Sequence, residues 1–365
     1  MTASTAGRPD IRQALEATGA HYLNLVEIGI LKTFVDYKVF DAIPDEGAIS
    51  YPDLATKVAG EAELLERFCN YLVAAELLTS PTPGQVAHTD RSRAYRTGEI
   101  PAGFIVHVCN FFLRPVARWT EYFERNGLKE PKDARNIPLG LGTGHPDLDL
   151  YGILDAEPKL AHMFNRAQAG SASIYSLKGV YDFTWMEKEL PKLNDGPAIV
   201  DVGGGSGLAL KGILSDNTFL SAEKCAVFDF PKTIEQTKSQ LDPALASVQL
   251  VGGSMLEPIP DTLRGALIYQ FRRVLSDLLD KDIVLALTQV RASCTPDTRV
   301  LIIEELLKPN ASKFTIAQDI SVMNFGGKRR SESMFRELAT QAQFRVNAVF
   351  NDESTDFGVL ELLPV

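Results

Sequence analysis

Residues 198 to 214 read AIVDVGGGSGLALKGIL: a β-branched run, a turn built of glycines, and a stretch with helical spacing. A strand that ends on Asp201 and Val202, turns through Gly203, Gly205 and Gly207 and continues as a helix is the opening of a βαβ unit. That unit constrains the rest of the fold, because parallel strands joined through helices need both sheet faces covered. The runs that follow agree. CAVFDF, ALIYQF and RVLIIEEL are short, β-branched or aromatic, and each is separated from the next by a helical stretch. FRVNAVFN and FGVLELLPV lie close together around NDEST and predict a terminal antiparallel hairpin. Residues 191–365 are therefore expected to form an α/β, Rossmann-like domain: a doubly wound sheet finished by that hairpin.

Upstream the pattern is helical. Apolar residues recur at i, i+3, i+4 and i+7 through IRQALEATGAHYLNLVEIGILKTFVDYKVFDAI, and two shorter amphipathic helices follow before the turn-rich SPTPGQVAHTDRSRAYRT. Helices followed by a wing suggest a winged-helix unit over residues 1–100. Its third helix, Glu61 to Leu78, carries Arg67 as its one cation, and the chain has a net charge of −10. Packing as a homodimer is expected rather than nucleic-acid binding. Residues 101–190 read as a helical region lining a substrate pocket, with the Gly- and Pro-rich NIPLGLGTGHPDLDLYGIL as a loop or lid. The four scattered cysteines predict reduced thiols in a cytoplasmic protein and no metal site. No basic-then-apolar leader and no membrane-spanning run is expected. A small molecule is the expected ligand.

The glycine loop is one half of a nucleoside site. Asp229, closing CAVFDF, lies about 20 residues beyond the loop, where such folds keep the carboxylate that holds a ribose. The plainer alternative is a tight turn beside an exposed Asp. Asp201 sits two residues before the first glycine, where a carboxylate would repel phosphate but suit a cationic amino-acid group. That favours S-adenosylmethionine over a dinucleotide.

With these motifs in order, the chain resembles the plant- and fungal-type small-molecule O-methyltransferases. VDVGGGSG, FDFPKTIE, GGSMLEPIP, YQFRRVLSDLLDKD, RVLIIEEL and GGKRRSESMFRELATQAQF follow as that family has them, across nearly the whole chain. The resemblance implies S-adenosylmethionine held by Asp201, the glycines, Asp229, Phe230, Ser254, Met255 and Arg272, and an N-terminal dimerisation domain. It implies departures as well. The family opens a helix with Leu-His-Asp-Trp, and its His deprotonates the acceptor. Here Ser276 stands in that place and Asp277 follows. Glu304 matches the first of two acids that flank the His, but Arg329 stands at the second. Ser254 replaces the family's Asp near adenine, and Arg272 replaces its Lys. A serine hydroxyl cannot act as base near neutral pH without a partner.

The expectation drawn from these losses is a methyltransferase-fold pericyclase resembling the fungal leporin enzyme. The sulfonium, Arg272 and Arg329 would polarise a conjugated polyketide-type substrate toward cyclisation or dehydration, with no net proton removal. Candidate catalytic residues are then His107, Arg272, Ser276 and Arg329. Asn110, Phe164, Gln168, Asp277 and Glu304 would line the substrate pocket. His107 is alternatively a satisfied core histidine, Arg272 or its neighbour a salt-bridge partner of Asp277 or Asp280, and Arg329 a solvated turn residue. The alternative function is a true O-methyltransferase acting on an acidic hydroxyl.

Overall fold

A computed structural model describes residues 10–165, 176–193, 196–352 and 355–365. The chain divides into two compact units, Met1–Leu113 and Arg114–Val365.

The first unit is helical with a small sheet. A long helix, Ile11–Asp36, is followed by helices Tyr51–Val58 and Ala62–Ala74. Strands β1 (Ile49–Ser50), β2 (Leu78–Thr79) and β3 (Gln85–His88) pair in the order β1-β3-β2. Ser50 starts its helix by accepting from Asp53 N at 3.2 Å. Phe34, Phe40, Leu54, Cys69, Leu72 and Val86 close the core. The hairpin expected in the turn-rich segment occupies Leu78–His88. The residues after it form helix Asp90–Arg93, opened by a capping box between Thr89 and Ser92. Helix Ile100–Val108 then runs into a π-turn, Cys109–Leu113.

The second unit carries a seven-stranded sheet ordered β6-β5-β4-β7-β8-β10-β9. These are β4 (Ile199–Val202), β5 (Cys225–Asp229), β6 (Gln249–Gly252), β7 (Ile268–Arg272), β8 (Arg299–Glu305), β9 (Phe344–Asn351) and β10 (Phe357–Pro364). All neighbours are parallel except β10, which runs antiparallel to both β8 and β9. The expected doubly wound sheet with its terminal hairpin is present. Alternate residues feed two cores. Val200, Val202, Phe228, Phe271 and Ile302 pack on helices Asp280–Arg291 and Glu332–Gln341. Ile199, Val227, Ile268 and Ile303 pack on Phe183, Met186, Leu210 and Ile213. The strand order reverses at β4, with β5 on one side and β7 on the other, so the crevice at their C-terminal ends is a topological switch point.

Two local expectations are corrected. NIPLGLGTGHPDLDLYGIL is not a bare loop: it holds helices Pro138–Thr143 and Leu150–Ala156. Its glycines read as turn formers, yet Gly142 sits in a helix where a Cβ would come within 2.8 Å of the Pro115 backbone, so it serves close packing. The helix expected to open at Ser276 begins instead at Asp280, and Leu275–Asp277 is a single 3-10 turn. The four cysteines are unbridged.

Candidate functional site

The cofactor side of the site forms where β4 and β5 end. Gly203 takes φ +72°, and a Cβ there would lie 2.9 Å from Val274 and 3.1 Å from Met255, so only glycine fits. Its N–H donates to Phe228 O at 2.8 Å, tying the loop to β5. Asp229 accepts from Gly205 N at 2.9 Å and from Phe230 N at 2.7 Å. Burial pushes the Asp229 carboxyl up, and those amides hold it down. Gly207, also left-handed, caps helix Leu208–Asp216. Ser254 Oγ accepts from Leu256 N at 3.2 Å.

Asp201 is buried in register with Gln270 on β7. Burial pushes its carboxyl up to about 6, opposed by Gln270 and Arg272. Its Oδ2 has no donor at hydrogen-bonding geometry among the described residues. Arg272, the last residue of β7, lies in the field of that carboxylate. A cavity of about 750 Å³ is lined by the 176–183 segment, one face of helix Leu208–Asp216, Arg272 and Phe350. It meets the site through Arg272 and is not lined by Asp229, Met255 or Asp277.

The other side of the site is assembled by the turns after β7 and β8. Glu304 is buried and accepts from Leu275 N at 3.0 Å and Ser276 N at 3.3 Å, which pins the turn carrying Ser276 and Asp277. The Ser276 carbonyl accepts from Lys328 N at 2.8 Å. A Cβ at Gly327 would lie 2.3 Å from that oxygen, so this approach also requires glycine. Arg329 is buried and pairs with Glu305, Nη2 to Oε2 at 2.7 Å, while Arg273 reaches the same oxygen at 3.6 Å. Arg330 bonds Asp280 at 2.7 Å and the carbonyls of Leu275, Lys328 and Leu278. Asp277 or Asp280 was expected to pair with Arg272 or Arg273; Arg330 takes Asp280, and Arg273 takes Glu305. Arg329 is no solvated turn residue. Its charge meets Glu305, with Glu304 and Asp277 also in its field, so the cluster is not a cationic pocket.

Asp277 is half-buried, and burial together with the charge on Glu304 pushes its carboxyl up to about 7 against the pull of Arg273 and Arg329. It makes no side-chain hydrogen bond among the described residues. Tyr151, which the sequence reading missed, belongs here as well. Its ring stands edge-on to Phe230 at 5.2 Å, and its phenol lies in the fields of Asp277 and Asp229. The signal was present in DLDLYGIL, where Asp149 caps a helix and Tyr151 follows on its first turn, but the glycines hid it.

The remaining candidates are placed as follows. His107 stacks on Phe111 at 4.8 Å, and Asn110 Nδ2 donates to Val106 O at 2.8 Å, both within the first unit. Phe164 is buried in the second unit. Gln168 lies outside the described residues.

Residues 140–345 match an O-methyltransferase domain, and residues 20–98 match an O-methyltransferase dimerisation domain. The chain is 59% identical to the methyltransferase phm5 of Pyrenochaetopsis sp, over 97% of each chain. The chain belongs to the O-methyltransferase family. Solved structures agree in fold. OxaC in complex with SAH and oxaline superposes with a TM-score of 0.86 at 22% identity, covering 96% of this chain and 87% of that one. A pericyclic reaction enzyme superposes with a TM-score of 0.80 at 16% identity, covering 99% and 90%. The family's cofactor, S-adenosylmethionine, fits the groups present. Asp229 offers carboxylate oxygens for a ribose, the left-handed glycines leave room beside the loop, and the unmatched Asp201 Oδ2 and the nearby Arg272 suit an amino-acid terminus.

Proposed function

We propose that this protein is an S-adenosylmethionine-dependent methyltransferase of fungal secondary metabolism that acts on an acidic hydroxyl, with Asp277 in place of the missing imidazole. One arrangement carries the reading: next to Ser276, the Asp277 carboxyl has no hydrogen bond among the described residues, and burial with the charge on Glu304 pushes it up to about 7. That is the range in which a general base works best, and such a base contributes about 10²–10⁴ in rate. The bound cofactor supplies an electrophilic methyl group. Asp229 and the glycine loop hold its nucleoside, and Arg272 with Asp201 hold its amino-acid end. Glu304 fixes the turn, Glu305 neutralises Arg329, and Asp277 takes the proton from the acceptor oxygen. An acceptor that is already acidic lessens what is asked of this weak base. The protein works as a homodimer through residues 20–98 and their flank, a reading supported by exposed Leu15, Tyr22, Leu23 and Leu25 on the first helix. Its free thiols suit a reducing, cytoplasmic setting.

The test is release of S-adenosylhomocysteine with acidic phenols that keep their proton at neutral pH, such as salicylaldehyde. Release should keep step with methylated product and rise with pH through about 7. Release no faster than in acceptor-free controls across such a panel overturns the reading.

A second reading, pericyclic cyclisation or dehydration of a conjugated substrate with the cofactor as a fixed charge, is favoured by Ser276 at the imidazole's place. It predicts cyclised product while a labelled methyl group stays on the cofactor.

A further inference from the structure

Helix Leu150–Ala156 is fastened beside the end of β5 at two points. Tyr151 sets its ring against Phe230, and Asp155 pairs with Lys232. Asp149 caps the helix through Gly152 N at 2.8 Å, which fixes the first turn and the direction of Tyr151. The phenol is thereby held at the switch point, in the fields of Asp229 from the β5 side and Asp277 from the β7 side. Both Asp229 oxygens already accept backbone N–H groups. Neither the Asp277 carboxyl nor the Tyr151 hydroxyl has a hydrogen-bond partner among the described residues. Burial and the surrounding acids raise the phenol, so it stays protonated and remains a donor.

The site thus offers a carboxyl and a phenol O–H within each other's electrostatic reach, neither with a hydrogen-bond partner among the described residues. Their complement is a molecule carrying an acidic O–H next to a carbonyl oxygen. We propose that Tyr151 is the acceptor-orienting residue of this site, donating to a carbonyl oxygen beside the hydroxyl that is methylated, and that the acceptors are therefore enols or phenols with an adjacent carbonyl. The proposal rests on the methyl-transfer reading. In that reaction the O–H proton passes to Asp277. The new O–C bond forms as the sulfonium S–C bond breaks, leaving neutral S-adenosylhomocysteine.

The experiment compares wild type with Tyr151→Phe, using salicylaldehyde, whose carbonyl adjoins its hydroxyl, and 4-hydroxybenzaldehyde, whose carbonyl lies across the ring. Affinity for each acceptor is titrated in the presence of S-adenosylhomocysteine, affinity for S-adenosylhomocysteine is measured alone, and KM is separated from kcat. Wild type should prefer salicylaldehyde. Tyr151→Phe should weaken binding of salicylaldehyde and raise its KM by about 3- to 10-fold, as expected for a lost hydrogen bond to a neutral carbonyl. It should remove the preference, change kcat less than KM, and leave S-adenosylhomocysteine binding within about twofold, within ordinary surface-substitution effects. Unchanged acceptor affinity overturns the proposal. So does a loss confined to S-adenosylhomocysteine, which would make Tyr151 part of the nucleoside site. Because acceptor binding is read without turnover, a wild type that binds the probe but never releases S-adenosylhomocysteine sinks the methyl-transfer reading alone.

Discussion

Replacing Asp277 with Asn should remove activity and add stability, and the two effects share one cause. The carboxyl ordinarily titrates near 3.8, but in the fold it is pushed to about 7, first by burial and then by the charge on Glu304. Between those values the folded chain holds a proton that the unfolded chain has released, so stability falls as pH rises through that window and levels off above it. The full difference corresponds to up to about 4 kcal/mol withheld from folding once Asp277 is charged. Asn keeps the shape and carries no charge. Asp277→Asn should therefore melt several degrees above wild type at about pH 8.5, with most of that gain gone at about pH 4.5. Its methyl-transfer rate should drop by about 10²–10⁴, and the rise in rate through neutral pH should vanish. Thermal melts at both pH values, run beside S-adenosylhomocysteine release from about pH 5 to 9, read the whole prediction. A variant with wild-type rate and an intact pH rise refutes Asp277 as base. Equal stability gains at both pH values would show that charge burial is not what the wild type tolerates at this position.

Asp229→Ala removes the ribose acceptor and also strands the N–H groups of Gly205 and Phe230. Calorimetry should show S-adenosylhomocysteine affinity falling by about 10- to 100-fold, in line with hydrogen bonds to a charged group. Arg329→Ala leaves Glu305 buried without its partner at 2.7 Å. Denaturant melts should report a loss of about 3–5 kcal/mol, the usual result of breaking one side of a buried pair. Glu361, buried on β10, accepts from Tyr181 at 2.6 Å, Arg299 at 2.7 Å and Asn347 at 2.6 Å, and Arg299 lies 3.7 Å over Trp185. Glu361→Ala should cost a similar amount without altering S-adenosylhomocysteine affinity, since the network lies in the sheet.

The sheet and the cofactor half of the site were legible because they are written locally. A strand, glycines with left-handed φ and a helix are contiguous in 198–214, and the acid that binds the loop closes the next strand. The pattern of period two also survives burial on both faces, as Val200 and Ile199 show in opposite cores. Helices Pro138–Thr143 and Leu150–Ala156 were illegible for the opposite reason. Glycine signals freedom in a single sequence, whereas Gly142 is there because Pro115 presses on it, a contact nothing in the local pattern announces. Tyr151 went unseen with the helix that carries it.

The turns after β7 and β8 show how much one aligned position leaves open. Arg329 at an acid's place, beside Ser276 at a base's place, implies added positive charge and no proton acceptor. Strand β8 ends in two acids, and alternation sends them to opposite faces of the sheet. Glu304 reaches the Ser276 turn, and Glu305 reaches Arg329 and Arg273. The cation at 329 is thus answered by the residue next to the acid that matches the family. What remains uncompensated is Asp277, whose charge the fold resists. A carboxyl that resists ionisation in a site that keeps its cofactor groups is a proton acceptor in waiting. It needs only an acceptor acidic enough to give its proton to a group near neutral pH. Loss of the imidazole therefore argues for a narrower range of acceptors before it argues for a change of reaction.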